Sequence, residues 1–206
     1  MKEKSEICLV ACSVLKEEIQ RLIKQGKLDC NVVFVSKNFH IDYALLEKNL
    51  RKTIERALPR TTEKPVLVYG DLCLGPNGEM NKLASEYGLV KVDAQNCVDC
   101  LLGGKGAIEK VDPNHELMFF DPGMIEFFQD AKKKMQKQGI PDEAIRNMFS
   151  GIKGIVLLDT LGNAEECKLE IEKLQTGLVI LETKQVGLSN LSCLLLETIN
   201  QCQKKR

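Results

Sequence analysis

The stretch Pro65-Val-Leu-Val-Tyr-Gly-Asp-Leu-Cys73, followed by Leu74-Gly-Pro-Asn-Gly78, decides how the rest of the chain is interpreted. Its apolar part, residues 66–69, has the length and the β-branched content of a buried strand. The run stops at Gly70 and leads to Cys73 in a turn rich in glycine and proline. Because open α/β sheets place their sites at the carboxyl ends of their strands, a site is expected at Cys73.

Two other strand-like runs end in the same way. Residues 7–11 end at Cys12, and residues 89–93 lead to Cys97 and Cys100. Parallel strands all point in one direction, so the segments that follow them share one rim of the sheet. On this basis we expect the following side chains on a common rim: Cys12, His40, Cys73, Cys97, Cys100, Asp121 and Asp159.

Strand-like runs alternate with amphipathic helical segments along the whole chain. The predicted strands are 7–12, 31–35, 66–69, 89–92, 117–120, 152–158 and 178–182. A helix from Tyr43 to Leu58 shows the pattern well, because Leu46, Leu50 and Ile54 recur on one side. The alternation predicts an α/β fold of the Rossmann-like, doubly wound kind, with a mostly parallel sheet and helices on both faces. We predict a single domain over 1–206, with 105–147 as a candidate insertion or lid.

The composition argues against several classes of function. The 206 residues carry 29 basic and 29 acidic side chains, so no net charge favours nucleic acid or an anionic membrane as a partner. No apolar run has the length of a membrane span, and the start of the chain is too charged for a signal peptide. A cytoplasmic protein is expected, in which nine cysteines indicate metal binding, redox chemistry or packing rather than disulfides. The oligomeric state is not indicated.

The three strand-end thiols of Cys12, Cys73 and Cys97 could hold a metal. Thiolates are the soft ligands that Zn, Cu(I) and iron–sulfur clusters prefer. A fourth ligand could be His40 or Cys100, or that position could stay open. Cys97-Val-Asp-Cys100 can equally be a metal half-site, a redox dithiol or a helix start that lowers a thiol pKa. The alternative is that these cysteines are small buried apolar residues, and that His40 caps the next helix.

The other sequence patterns do not indicate a functional site as clearly. The remaining cysteines, at positions 8, 30, 167, 193 and 202, have no ligand-spaced neighbour and are expected in packing roles. No Walker A loop and no Gly-x-Ser-x-Gly elbow is present. Gly103-Gly-Lys-Gly106 is expected to be a turn, although its backbone N–H groups could wrap an anion.

A set of short motifs carries a family resemblance. The motifs, in chain order, are Ala11-Cys-Ser-Val-Leu-Lys-Glu-Glu-Ile19, Phe39-His40, Tyr69-Gly-Asp-Leu-Cys73, Asn96-Cys97 with Leu101-Leu-Gly103, Asp121-Pro-Gly123 and Leu158-Asp-Thr-Leu-Gly162. In their order and spacing they resemble the domain-of-unknown-function family sixteen thirty-eight, over nearly the whole chain. Members of that family occur in anaerobic archaea and bacteria, often beside corrinoid methyltransferase systems.

The resemblance implies that Cys12, Cys73 and Cys97 are the family's three cysteines and that His40 is its loop histidine. Cys100 falls where the family usually has an apolar residue, which weakens it as a ligand. The resemblance therefore supports the three-thiol site more than any particular reaction.

Three functions follow as hypotheses. The first is a cytoplasmic protein that binds an iron–sulfur cluster or Zn through the three cysteines and assists corrinoid-dependent methyl transfer, with contact to a corrinoid. The second is a thiol-dependent transferase in which one cysteine is the nucleophile. The third is a non-catalytic interaction or chaperone subunit of a methyltransferase or its corrinoid protein, with 105–147 carrying the contact.

Overall fold

The computed structural model of the chain describes residues 7–204, apart from the side chain of Arg60. The charged N-terminal residues 1–6 lie outside the described residues. Parallel strands flanked by helices confirm the α/β class. The strands are β1 (Cys8–Cys12), β2 (Asn31–Val35), β3 (Val66–Val68), β4 (Val90–Lys91), β5 (Leu117–Phe120), β6 (Gly154–Asp159) and β7 (Ile180–Gln185).

The helices lie between the strands, as the sequence pattern predicts. The α-helices are α1 (Lys16–Lys24), α2 (Tyr43–Ala57), α3 (Glu79–Glu86), α4 (Cys97–Leu102), α5 (Ala107–Val111), α6 (Pro122–Lys137), α7 (Asp142–Asn147), α8 (Ala164–Leu174) and α9 (Ser189–Lys204). Short 3-10 helices occupy Ser13–Leu15, Lys37–Ile41 and Leu58–Arg60. None of the described helices combines the length and the apolarity needed to cross a bilayer.

Helix α2 shows how the sequence specifies these elements. The Asp42 carboxylate accepts a hydrogen bond from the Leu45 N–H at 3.0 Å and so caps the first turn. Leu46, Leu50 and Ile54, spaced four residues apart, are all fully buried on the inner face of the helix. Capping and periodic burial together place the helix where the sequence predicts it.

The chain divides into two compact units, one comprising residues 1–107 and 188–206 and the other residues 108–187. The strands are accordingly shared between two parallel sheets. The segment 105–147 contributes β5, α6 and α7 to the second unit, which continues to Gly187. The single domain and the role of 105–147 as an insertion or lid stay predictions.

The first unit contains a sheet with strand order β2-β1-β3-β4 and every pair parallel. From β1 the chain adds β2 on one side and then crosses to add β3 on the other, so the direction of winding reverses between β1 and β3. All residues of β1 and β3 are buried, as expected for central strands covered on both faces. Doubly wound sheets bind ligands at the carboxyl ends of the strands that flank such a reversal.

The second unit contains the parallel sheet β5-β6-β7. Its core is formed by Phe120, Ile155 and Leu157 together with residues of α6 and α8. Strand β7 runs from Ile180 to Gln185, later than the predicted 178–182, because an edge strand can leave polar residues half-exposed while its backbone pairs with β6. The apolar run was therefore a poor guide to its bounds.

The expectation of one common rim does not hold for Asp121 and Asp159, because their strands belong to the second sheet. Each carboxylate instead fixes a local turn. Asp121 accepts a hydrogen bond from the Met124 N–H at 3.0 Å at the start of α6. Asp159 accepts from the N–H groups of Gly162 and Asn163 at 2.7 and 3.1 Å. Both residues hold the chain at the end of a strand.

Candidate thiol–imidazole site

The site lies where β1 and β3 end side by side. Ala11 of β1 pairs with Val68 of β3, so the next residues along, Cys12 and Tyr69, are neighbours in register. In a parallel pair, neighbours in register point to the same face of the sheet. Both side chains are fully buried. The switch point of the first sheet therefore presents a thiol next to a phenol.

The loop after β2 brings His40 to Cys12. The Ser13 hydroxyl oxygen accepts a hydrogen bond from the Lys37 N–H at 2.8 Å, which ties the end of β1 to the 3-10 helix at Lys37–Ile41. His40 lies on that helix, and its Nε2 is 3.3 Å from the Cys12 Sγ. The predicted approach of a thiol and an imidazole from separate strand ends is thus present in the structure.

The loops after β3 and β4 bring Cys73 to Cys97. The N–H groups of Asp71 and Leu72 donate to the carbonyl oxygens of Ala94 and Gln95, each at 2.9 Å. Gly70 permits this approach, because a Cβ atom there would lie only 2.2 Å from the Gln95 carbonyl carbon. A side chain at position 70 would therefore force the Cys73 and Cys97 loops apart.

Cys97 is held by the first turn of α4. The Asn96 side-chain oxygen accepts from the Asp99 N–H at 3.1 Å, and the buried Asp99 carboxylate accepts from the Gln95 N–H at 2.9 Å. The first bond is an N-cap, and the second ties the residue before the cap to the first turn, so the two together fix the entry to the helix. Helix α4 spans Cys97–Leu102, and its start sets the position of the third thiol.

The three thiols of Cys12, Cys73 and Cys97 interact directly. Cys97 hydrogen-bonds to both other sulfurs, and this bonding lowers the pKa values of Cys12 and Cys73 while it raises that of Cys97. Burial opposes the ionisation of all three. Cys12 is fully buried, and Cys73 and Cys97 are each 7% exposed. Within the cluster, ionisation is therefore favoured at Cys12 and Cys73 over Cys97.

The groups around the cluster respond to that charge. Burial alone would lower the pKa of His40, but its hydrogen bond to Cys12 and the charges of Cys12 and Cys73 raise it, so the imidazole is stabilised as a cation. Burial and the same sulfur charges raise the pKa of Tyr69 well above its usual value, so the phenol keeps its proton. The rings of His40 and Tyr69 stack with centroids 5.9 Å apart.

Cys100 lies near the cluster without joining it. Burial and the charge of Cys73 raise its pKa, and no hydrogen bond to another of the described cysteines is among the causes. One turn of helix separates it from Cys97. Cys100 is therefore a neighbour of the three-thiol cluster and not a member of it. All nine cysteines are free thiols, and Cys167 packs into the core of the second unit.

An ion-pair network supports the Cys73 loop. The Asp71 carboxylate contacts the ammonium groups of Lys91 at 2.8 Å and Lys105 at 2.7 Å. Burial acts against ionisation of Asp71, but hydrogen bonds from the two lysines outweigh it and lower its pKa to about 2. Because Lys91 belongs to β4 and Lys105 follows α4, the network fastens the loop after β3 to the neighbouring strand and helix.

The glycine-rich segment Gly103–Gly106 forms a turn. The N–H groups of Gly103 and Gly104 both donate to the Asp99 carbonyl oxygen, at 3.0 and 2.7 Å, and the Lys105 N–H donates to the Asp93 carbonyl oxygen at 2.8 Å. These donors are already used within the chain. The suggestion that they wrap an anion therefore fails for these three groups.

The donor set suits a thiophilic metal in its chemistry, since three thiols and an imidazole are the ligands that Zn and iron–sulfur clusters take. Within residues 7–204, no group of three or more His, Cys, Asp or Glu side chains stands ready-formed to hold an ion. The sulfurs instead hydrogen-bond to one another. Metal binding would replace the shared thiol protons and draw the sulfurs to about 3.8 Å from one another, as Zn–S bonds near 2.3 Å require.

These features define a parallel α/β protein with a buried thiol–imidazole cluster at the switch point of its first sheet. The chain belongs to the family described as Protein of unknown function (DUF1638), whose match covers residues 34–195. That range contains His40, Cys73, Cys97 and Cys100, whereas Cys12 precedes it. No curated protein and no solved structure matches the chain.

Sequence reasoning did not identify Tyr69 and Gly70 as parts of the site. The sequence places Tyr69 at the end of an apolar strand and in the motif Tyr69-Gly-Asp-Leu-Cys73, but its hydroxyl group is given no role there, although an aromatic hydroxyl beside a thiol loop is an available signal. Gly70 is interpreted as a strand terminator within the same motif. Its close approach to Gln95 depends on a contact between distant segments, which a sequence alone does not display.

Proposed function

We propose that this protein binds a thiophilic metal ion or an iron–sulfur cluster through Cys12, Cys73 and Cys97. The observation that carries the proposal is the convergence of three thiols, from segments far apart in the chain, at one switch point. A cation stabilises the ionised form of a buried group of thiols, because it neutralises the negative charge that burial disfavours.

His40 supports the same proposal as a neighbour of the cluster. Its Nε2 lies 3.3 Å from the Cys12 sulfur, so a small shift would make it either a fourth ligand or a hydrogen-bond donor to a bound thiolate. Cys100 is the weaker candidate for the fourth position, because its thiol makes no hydrogen bond to the other cluster sulfurs in the described structure.

We place this activity in the cytoplasm, as an accessory to corrinoid-dependent methyl transfer, with a corrinoid protein or methyltransferase as partner. The support for this setting is the family resemblance. Growth of a deletion strain on methylated substrates tests the setting. Unimpaired growth there would contradict it without affecting the metal proposal.

Metal analysis and Co²⁺ titration test the binding itself. The protein purified without oxygen is expected to carry stoichiometric metal, and the metal-free protein to bind Co²⁺ with thiolate charge-transfer absorption. Changing Cys12, Cys73 or Cys97 to Ser is expected to lower the affinity at least tenfold. Cys193→Ser removes an exposed thiol and serves as the control. No metal in the wild type, and no difference among the variants, would contradict the proposal.

The pairing of Cys12 with His40 favours a second candidate, thiol-based group transfer. A thiolate beside a protonated imidazole is the arrangement of an activated cysteine nucleophile. The complete burial of Cys12 counts against attack on an external substrate in this conformation. If the candidate holds, iodoacetamide alkylates Cys12 much faster than the exposed Cys193, as peptide mass spectrometry would show. Slower alkylation of Cys12 would exclude it.

A further inference from the structure

The hydroxyl group of Tyr69 is buried without a partner at hydrogen-bond geometry among the described residues. Tyr69 is fully buried, and among the described residues no partner meets its hydroxyl oxygen with hydrogen-bond geometry. A buried hydroxyl without a partner destabilises the fold, and phenylalanine would fill the same space without that penalty. The presence of tyrosine here indicates a partner that forms in another state of the site.

The surroundings of Tyr69 identify that partner. Tyr69 follows Val68 directly and is the register neighbour of Cys12. One face of its ring stacks with His40, with an angle of 12° between the ring planes. Burial and the charges of Cys12, Cys97 and Cys73 raise the pKa of its hydroxyl group, and so does an interaction with the Cys12 side chain that falls outside hydrogen-bond geometry. The phenol is therefore directed at the sulfur cluster, on the side of Cys12.

We propose that Tyr69 is a positioning residue of the metal site, whose hydroxyl donates a hydrogen bond to the Cys12 sulfur once that sulfur is a metal-bound thiolate. The inference rests on the proposed function. A thiolate is a stronger hydrogen-bond acceptor than a thiol, so the bond forms when the thiol gives up its proton to make room for the metal.

Such a bond has two consequences. It orients Cys12 and withdraws electron density from its sulfur, and partners of this kind contribute about 10–100-fold to metal affinity. It also moves thiolate-to-metal charge transfer to higher energy, because it stabilises the sulfur lone pair. The stack with His40 keeps the phenol ring in place for this bond.

Co²⁺ titration of Tyr69→Phe without oxygen tests the inference, with Tyr87→Phe as the matched control. The Tyr87→Phe change removes a hydrogen bond that the Tyr87 hydroxyl donates to Glu55 at 2.9 Å, at the surface of the same unit. Tyr69→Phe is expected to bind Co²⁺ about 10–100-fold more weakly and to shift the charge-transfer band to lower energy. Its metal-free form is expected to unfold at the same urea concentration as the wild type or a higher one. Tyr87→Phe should leave affinity and spectrum unchanged.

The outcomes separate the two proposals. If the wild type binds Co²⁺ and Tyr69→Phe matches it in affinity and spectrum, the inference is wrong and the proposed function stands. A variant that matches the wild type in both but unfolds at lower urea assigns Tyr69 a structural role and also overturns the inference. If the wild type binds no Co²⁺, Zn²⁺ or reconstituted cluster, both proposals fall.

A second measurement, which needs no substitution at Tyr69, tests the inference even if the Tyr69→Phe variant does not fold. The chain has three tyrosines, so 3-fluorotyrosine labelling gives three ¹⁹F resonances, and Tyr43→Phe and Tyr87→Phe assign two of them. The third resonance belongs to Tyr69. Addition of Zn²⁺ is expected to shift that resonance more than the other two. A titration in which it moves no more than they do would overturn the inference.

Discussion

Gly70 lies so close to Gln95 that a Cβ atom built on the glycine would come within 2.2 Å of the Gln95 carbonyl carbon and oxygen. The contact joins the loop that carries Cys73 to the loop that carries Cys97. Real side chains do not reach such distances, so the approach of the two thiols depends on the absence of a side chain at position 70.

Gly70→Ala is expected to separate these loops and to disrupt the site. The nearest atoms are backbone atoms, which cannot move aside as a flexible side chain does, so the cost should be at least the 1–3 kcal/mol typical of overpacking. Urea unfolding and Co²⁺ titration measure the two effects. Gly151→Ala is the control, since a Cβ atom there meets nothing within 4 Å. A Gly70→Ala variant as stable as this control would contradict the assignment.

Asp71→Asn is expected to lower the free energy of unfolding by about 2 kcal/mol at neutral pH. The carboxylate is 16% exposed, and its pKa falls to about 2 from an ordinary value of 3.8. A lowered carboxyl pKa stabilises the fold fully above the unfolded value, and this contribution disappears as the pH falls through the folded one. The difference from wild type should therefore shrink between about pH 4 and pH 2.

Chemical unfolding of both proteins across that pH range checks the expectation. Glu197→Gln removes a carboxylate that is exposed in the same unit and serves as the control. A difference that persists unchanged at pH 2 would show that the ion pairs with Lys91 and Lys105 are not its cause.

Ser13→Ala is expected to loosen the segment that presents His40. The Ser13 hydroxyl oxygen accepts from the Lys37 N–H at 2.8 Å, and its loss should cost about 1 kcal/mol and leave that donor without its acceptor. Amide hydrogen exchange at Lys37 should become faster. Ser36→Ala removes an exposed and longer bond, at 3.3 Å, and should have the smaller effect. Equal exchange in both variants would contradict this role for Ser13.

His40→Gln is expected to shift Cys12 ionisation to higher pH in the metal-free protein. The pKa of Cys12 is lowered first by Cys97 and then by His40, so removing the imidazole raises it toward its usual value. The thiolate of the folded wild type persists as the pH falls to this lowered pKa, and the variant should lose it at higher pH. Thiolate ultraviolet absorbance follows the change, with Cys12→Ser identifying the signal. Identical curves would show that His40 does not act on Cys12.

Much of the fold was predictable because local signals agree. Capping by Asp42 and the spacing of Leu46, Leu50 and Ile54 specify α2 without any distant contact. The division into two sheets was not predictable from the same signals. Strand β5 looks like any other apolar run, and only its pairing with β6, rather than with the first sheet, separates Asp121 from the cysteines.

The site was predictable to the extent that it follows from strand direction. Cys12 ends β1, and His40, Cys73 and Cys97 follow β2, β3 and β4, so the carboxyl ends of one parallel sheet bring them together. Cys100 lies outside the group of interacting thiols because it is one helical turn further along α4 than Cys97. The role of Tyr69 depends on register between β1 and β3, which periodicity does not fix.

X-ray absorption spectroscopy of the metal-loaded protein tests the central claim most directly, because it reports the atoms bound to the metal. We predict three sulfur scatterers at about 2.3 Å. Replacement of Cys73 by Ser should remove one of them, while Cys193→Ser should remove none. A first shell made only of nitrogen and oxygen, or a sulfur shell unchanged by the Cys73 replacement, would contradict the account.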